Sequence, residues 1–184
     1  INKDGPGVRC YGTEMAYEGG WKLGNRDIKL SRILLDCDAL INLPLLKAAS
    51  EPGISFAMKN HYGSFNMPSH FHGMKFDYAI PELNALAPIK DRTRLIVGSL
   101  LAQETHRGAD GYDIIGLKDT MLVGFDPVAL DTLGLKIASD ELTAAGKDPR
   151  MNNVEATPWL KYGTKIGLGT NDLSNVNLVE EKIA

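Results

Sequence analysis

Apolar residues in this chain occur both in short continuous runs, which predict strands, and at spacings of three to four, which predict helices. The clearest continuous runs lie in "RTRLIVGSLLA", residues 92–102, and "DTMLVGF", residues 119–125. A third run, from Ala39 to Leu43, is short and stopped by Pro44. Such a run is typical of a strand buried on both faces of a parallel sheet, so we expect strands at all three places.

Two segments have the helical spacing. In "DPVALDTLGLKIASDEL" the apolar residues form one broad face, Asp126 suits the N-cap and Pro127 suits the first helical position. "FDYAIPELNALAPI" has the same period, although Pro81 must then lie in a first turn or kink the helix. We expect a helix in each segment.

The ends of the chain are less regular. Residues 1–27 are rich in glycine and polar residues, which predicts an irregular or hairpin-forming entry segment. The tail "KIGLGTNDLSNVNLVEE" predicts a glycine-rich turn followed by a last strand. The whole order of elements predicts an α/β fold: a single domain over residues 28–184, with a mixed, mostly parallel sheet flanked by helices.

The composition is that of an ordinary globular protein. The 184 residues are 43% hydrophobic and 23% charged, which is enough to bury a core within one domain. A net charge of −3 offers no basic face to nucleic acid, and no apolar run approaches the roughly 20 residues of a membrane span. We expect no nucleic-acid partner and no membrane span. Because the first residue is Ile1, we expect the sequence to begin inside a longer product.

The chain has two cysteines, Cys10 and Cys37. An iron–sulfur cluster usually takes four thiolates, so this chain alone is not expected to ligate one. The two cysteines form either one disulfide in an oxidising compartment or two unrelated buried thiols.

The stretch "AMKNHYGSFNMPSHFHG" holds three of the four histidines. In an extended segment His70 and His72 lie on the same side, where two imidazoles can share a divalent metal. His61 and a carboxylate such as Asp77 or Glu104 would complete that site. The alternative is a surface loop, marked by its glycines and proline, in which histidine is only a polar aromatic residue.

Two lysines and two aspartates are further candidates. Lys47 and Lys59 stand among apolar or small residues, either at a cleft where α/β proteins bind anions or with solvated ammonium groups. Asp126 is explained by its N-cap position. Asp131 lies inside the same predicted helix, either on its solvated edge or buried against one of the lysines.

Several catalytic classes are excluded by missing motifs. The chain has no G-x-x-x-x-G-K-[ST] phosphate loop, no G-x-S-x-G elbow and no H-E-x-x-H helix.

Five segments in order, "DALINLPLLK", "ISFAMKNHYG", "PSHFHG", "LNALAPIKDRTRLIVG" and "LVGFDPVALDTLG", resemble the bacterial and archaeal family known as domain of unknown function 362. The resemblance runs from about Leu34 to Leu168. The matching positions are Asn42, Pro44, Lys47, Lys59, Asn60, Gly63, Asp126, Pro127 and Asp131.

The resemblance implies redox- or cluster-associated work, because some members carry a ferredoxin-type domain or a twin-arginine export signal. It implies a periplasmic or exported location, a redox or iron–sulfur partner protein, and a Cys10–Cys37 disulfide. Two departures weaken a family-typical site: Ala48-Ala49 stands where members often have Thr-His, and Ser99 stands where they often have aspartate.

Our leading hypothesis is therefore a redox-associated or metal- or anion-binding protein with a cleft at the carboxyl edge of the sheet. Whether it is an enzyme stays open. The competing hypothesis is a non-catalytic binding or assembly subunit that has lost part of the family site. The candidate ligand-binding residues are Lys47, Lys59, Asn60, Asp126 and Asp131, and the candidate metal ligands are His61 and His72. We expect His70 to be a bystander and not a ligand.

Overall fold

A computed structural model describes residues 17–49, 52–106, 112–114, 119–144, 146 and 157–182. The strands are β1 (Tyr17–Leu23), β2 (Arg26–Ser31), β3 (Leu40–Asn42), β4 (Leu45–Ala49), β5 (Gly53–Ser55), β6 (Thr93–His106), β7 (Tyr112–Ile114) and β8 (Met121–Gly124). The helices are α1 (Arg32–Asp36), α2 (Phe76–Ala85), α3 (Ala87–Lys90), α4 (Pro127–Ala144) and α5 (Pro158–Lys165). Short 3₁₀ turns cover Lys59–Gly63, Pro68–Phe71, Gly73–Lys75 and Leu173–Asn175.

The long strand β6 is the centre of the main sheet. Strands β3 and β4 follow one another along one side of β6, and both run parallel to it. Strands β8 and β7 lie along its other side and run antiparallel. Strand β5 extends the sheet beyond β4, also antiparallel. The predicted single α/β domain with a mixed sheet flanked by helices is confirmed.

Helix α4 packs on the sheet through the ring of Phe56, which is almost completely buried. The ring lies between Gly98 of β6 and Gly134 of α4. A Cβ atom at Gly98 would stand 2.1 Å from Cζ of Phe56, and one at Gly134 would stand 3.1 Å from its Cδ1. The space for the ring requires glycine at position 98, because real Cβ atoms do not approach other heavy atoms as closely as 2.1 Å. At position 134 an added Cβ would make a tight contact, for which the ring would have to shift slightly.

Both predicted helices form, and α4 begins as expected. The Asp126 carboxylate accepts a hydrogen bond from the backbone N–H of Ala129, at 2.8 Å, and the chain enters the helix at Pro127. Pro81 lies inside α2 and not in its first turn.

The described part of the entry segment contributes to a hairpin, β1–β2, separate from the main sheet. Leu23, Ile28 and Leu30 of this hairpin are buried in the core. At its tip, Gly24 adopts a φ of 58°, which glycine tolerates without a side-chain clash.

Two expectations are wrong. Strand β3 is not buried on both faces: Ile41 and the following Leu43 are largely exposed, because only the face that carries Asn42 is packed against other described residues. The tail forms no strand over residues 176–182. The element that the tail does form is the 3₁₀ turn Leu173–Asn175. Asp172 caps this turn by accepting a hydrogen bond from the N–H of Ser174 at 3.0 Å.

The glycine contact with Phe56 is testable by adding one methyl group. We expect Gly98→Ala to lower the free energy of unfolding by about 1–3 kcal/mol, because the methyl group and the ring cannot occupy the same space. Urea unfolding of the full chain measures this. Gly63→Ala is the matched control, since nothing lies within 4 Å of its added Cβ, and it should cause no loss. Equal loss in both variants would contradict the packing described.

Candidate functional site

The Lys59–Gly63 turn, which we call the KNHYG turn, lies at the end of β3. The side chain of Asn42, the last residue of β3, donates a hydrogen bond from Nδ2 to the carbonyl of Ala57 at 2.8 Å. Its Oδ1 accepts a hydrogen bond from Nδ2 of Asn60 at 2.6 Å. We call the two residues before the turn, Ala57 and Met58, its approach. Strand β3 therefore positions the turn through the side chain of Asn42, which contacts both the approach and the second residue of the turn.

A buried carboxylate from α4 holds the same approach from the other side. Asp131 is fully buried, and its two oxygens accept hydrogen bonds from the backbone N–H groups of Ala57, at 2.6 Å, and Met58, at 3.0 Å. Of the two alternatives for Asp131, burial is the one observed, but its hydrogen bonds are to backbone amides.

The pKa of Asp131 reflects this environment. Burial raises the pKa from 3.8 to about 7, the two amide hydrogen bonds oppose that rise, and the nearby charge of Asp126 adds to it. The carboxyl group therefore changes charge near neutral pH.

A second asparagine, which sequence reasoning missed, completes the arrangement. Asn84 of α2 is buried and donates hydrogen bonds from Nδ2 to the carbonyls of Met58, at 2.9 Å, and Ile80, at 2.8 Å. The available signal was an amide inside an otherwise apolar helical face. Side chains from β3, α2 and α4 together bind all four backbone polar groups of the two residues that precede Lys59.

The start of the KNHYG turn also contacts an aromatic cluster. Nζ of Lys59 lies 4.8 Å from the ring centroid of Phe76, a cation–π contact. The ring of His72 lies 4.9 Å from the same centroid, and that of Tyr62 lies 5.4 Å from it. Lys59 and His72, predicted from sequence as fellow site residues, thus contact one phenyl ring.

The two predicted metal ligands have different environments. His61 is buried, and burial lowers its pKa from 6.5 to about 4, so its imidazole is neutral at physiological pH. His72 is exposed. Within the described part of the chain, no three or more His, Cys, Asp or Glu residues are grouped so that they could hold an ion. Metal binding by His61 and His72 stays a prediction.

Asp126 uses both carboxylate oxygens on the backbone. One caps α4, and the other accepts a hydrogen bond from the N–H of Thr170 at 2.9 Å. The neighbouring Gly169 has to be glycine here, since an added Cβ would stand 1.8 Å from Oδ1 of Asp126. Asp126 therefore ties the C-terminal segment to the start of α4.

The structure does not bring Lys47 together with the KNHYG turn. Lys47 is paired with Glu104 of β6. Lys47 lies five residues after Asn42, a separation that corresponds to about 16 Å of extended chain. Its neighbour Leu46 is fully buried on the α4 side of the sheet, so Lys47 projects from the opposite face.

The predicted disulfide cannot be located in the described structure. Cys10 lies outside the described residues. The thiol of Cys37 donates a weak hydrogen bond to the carbonyl of Leu34, at 3.5 Å. The disulfide stays a prediction.

These features define a class: an α/β domain that fixes a Lys-Asn-His turn between its sheet and two helices. The family model described as "Domain of unknown function (DUF362)" matches residues 8–136, well over half of the chain. The chain therefore belongs to this family, as the resemblance implied. The match includes the KNHYG turn and all three side chains that hold its approach. No curated protein and no solved structure matches the chain. No helix among the described residues is long and apolar enough to cross a membrane.

The role of Asp131 predicts a specific pH dependence. At pH 5 Asp131 is mostly protonated, and both of its oxygens can still accept a hydrogen bond. Asp131→Asn puts an NH2 group, which cannot accept, opposite one of the backbone amides, and this should cost about 1–3 kcal/mol of unfolding free energy at pH 5. Because the pKa of Asp131 is raised on folding, its stabilising contribution is complete below about 3.8 and is lost as the pH rises through about 7. The difference between wild type and variant should therefore shrink from pH 5 to pH 8 in urea unfolding.

The effect of His61 on the pH dependence of stability has the opposite sign to that of Asp131. Its lowered pKa gives a contribution that is present above 6.5 and lost as the pH falls through about 4, but this contribution is common to both proteins and cancels in the difference. Asp140→Asn, on the exposed side of α4, is the control and should give a small, nearly constant difference. A difference for Asp131→Asn that widens with pH would contradict the assignment.

The metal prediction is tested by elemental analysis of the purified full chain after exposure to Zn²⁺ and removal of loosely bound ions. If His61 and His72 ligate a divalent ion, wild type retains it near one equivalent, and His61→Ala and His72→Ala each lose it. His70→Ala is the control, because its histidine belongs to the same stretch but not to the predicted pair. Metal content that is far below one equivalent, or unchanged by both substitutions, would exclude this pair as ligands.

Proposed function

We propose that the protein binds a small anionic ligand, such as a phosphate or carboxylate compound, at the KNHYG turn. The observation that carries this proposal is the fixed backbone before the turn, where three buried polar side chains from three elements bind Ala57 and Met58. An ordinary surface turn does not require such support. Binding sites do, because their contacting groups must hold one geometry before the ligand arrives.

The turn places a cation and two N–H donors near one another. Lys59 supplies positive charge directly after the fixed residues, with its ammonium group against the ring of Phe76. Asn60 is exposed, and its side chain is oriented by Asn42. His72, on the same aromatic ring, adds an imidazole donor. A lysine ammonium with nearby neutral N–H donors favours an anion over a cation or an apolar ligand.

The position of the proposed site differs from the cleft suggested by the sequence. The turn lies at the carboxyl end of β3 but at the amino end of β4, because β5 runs antiparallel to β4 and returns the chain toward Asn42. Lys47, on the other face of the sheet, is not part of the site we propose.

The contacts of the two aspartates favour binding without catalysis. Asp126 and Asp131, the carboxylates at family-matching positions, each use both oxygens to accept hydrogen bonds from backbone amides. Neither is therefore placed as a general base for a ligand at Lys59. A non-catalytic binding or assembly subunit accounts for this arrangement. A redox or iron–sulfur partner and an exported location remain predictions from the family resemblance.

The proposal is tested by titrating phosphate, pyrophosphate and citrate into the full chain and measuring heat and melting temperature. At least one of these anions should bind wild type, and Lys59→Met should weaken that binding by about 10- to 100-fold, since a charge-assisted contact contributes about 1.5–3 kcal/mol. Lys90→Met, an exposed lysine at the end of α3, is the matched control and should bind like wild type. Equal binding by the two variants, or binding of none of the anions, would overturn the proposal.

A further inference from the structure

The main sheet has one face that the described residues leave uncovered. Five apolar side chains on β3 and β8, or directly after one of these strands, are more than half exposed. They are Ile41 (62%), Leu43 (68%), Met121 (54%), Val123 (61%) and Phe125 (78%).

The strand register joins these side chains into one surface. Ile41 is paired with Leu95 of β6, and Val123 is paired with Val97 of β6. Leu95 and Val97 therefore lie between the exposed residues of β3 and those of β8, on the same face. We call this three-strand surface the open face.

The opposite face of the same strands is buried. Asn42, Ile96 and Leu122, which alternate with the open-face residues, are buried toward the helices. The exposure is thus confined to one side of the sheet, as expected when helices cover only the other side.

The open face carries no charge at its described positions on β3, β6 and β8. Ser99, paired with Met121, is its polar residue, and the others are aliphatic, aromatic or methionine. On the same side of the sheet, the neighbouring strand β4 carries Lys47, beyond Ser99 and outside the three-strand surface. A surface identical to itself meets no electrostatic penalty, because neutral apolar side chains face one another across the interface.

We propose that the open face is the interface of a homodimer, in which two copies of this chain pack sheet against sheet. The five exposed side chains offer on the order of 500 Å² of apolar surface, at about 100 Å² each. A stable dimer buries roughly 800 Å² per partner, about 65% of it apolar, so the apolar requirement is also on the order of 500 Å². An exposed apolar patch of this size is often an interaction site.

The alternation of side chains suits this arrangement. Two sheets pack face to face at about 10 Å when inward side chains from each interdigitate, and a two-fold axis through the open face places the same residues of both copies in contact. Leu95 and Val97 of β6 would then lie near the middle of the interface, with Val123 of β8 beside Val97.

The oligomeric state of the full chain tests the proposal. Sedimentation velocity from about 1 μM to 1 mM should show a reversible monomer–dimer equilibrium for wild type. Val123→Glu should raise the dissociation constant at least 30-fold, because it places an unpaired charge in the desolvated interface, beside Val97. Phe125→Glu lies outside the strand and should act in the same direction, so the test survives if Val123→Glu fails to fold, as judged by circular dichroism.

Met74→Glu is the matched control. Met74 is 91% exposed and lies in a 3₁₀ turn away from the main sheet, so its variant should dimerise like wild type. A wild type that stays monomeric at 1 mM would overturn the proposal. So would a dimer that is equally stable in Phe125→Glu and Met74→Glu, since its interface would then lie elsewhere.

Discussion

The contact between the Asp131 carboxylate and the amides of Ala57 and Met58 is the interaction on which the centre of this structure depends. It joins the second turn of α4 to the segment that leaves β5, and it does so inside the core, where an unpaired carboxylate would be costly. One residue earlier, Phe56 lies between Gly98 and Gly134. The polar contact and the ring therefore fix the same short segment against both the sheet and α4.

Helix α4 connects two further parts of the chain through its two aspartates. Asp131 holds the approach to the KNHYG turn, and Asp126, one and a half turns earlier, caps the helix and holds Thr170 of the C-terminal segment. The charge of Asp126 raises the pKa of Asp131, so the second attachment is electrostatically linked to the first. His61 is buried near the start of the turn and is neutral. The region of the proposed site thus contains buried groups whose pKa values are shifted in opposite senses by the same cause, burial.

The two faces of the sheet differ in the side chains that they carry. The helix-covered face contains the polar contacts that position Lys59 and Asn60. The open face contains apolar side chains that are more than half exposed. A protein that binds a ligand on one side and a second copy on the other needs no overlap between these surfaces. Lys47, which the sequence placed with Lys59, belongs by its strand position to the second side.

Local signals were sufficient for several parts of the fold and the site. Asp126 and Pro127 predicted the start of α4, and the apolar run in 92–102 predicted β6, because capping and alternation depend on residues close together in the chain. The KNHYG segment predicted family membership, which the family match shows. These conclusions needed no knowledge of what packs against each segment.

The sequence alone could not choose between the alternatives for Asp131, and it left Asn84 unnoticed. Their partners lie 74 and 26 residues away in the chain, and they are backbone groups, which carry no sequence signal. The same reason explains why β3 was expected to be buried on both sides: a run of apolar residues shows that a strand avoids water but not how many layers cover it. The sequence by itself determined the family, the α/β class and the local helix and strand starts, because these follow from short-range chemistry. The tertiary structure decided which polar side chains hold the turn and which face of the sheet stays open, because both depend on segments that only folding brings together.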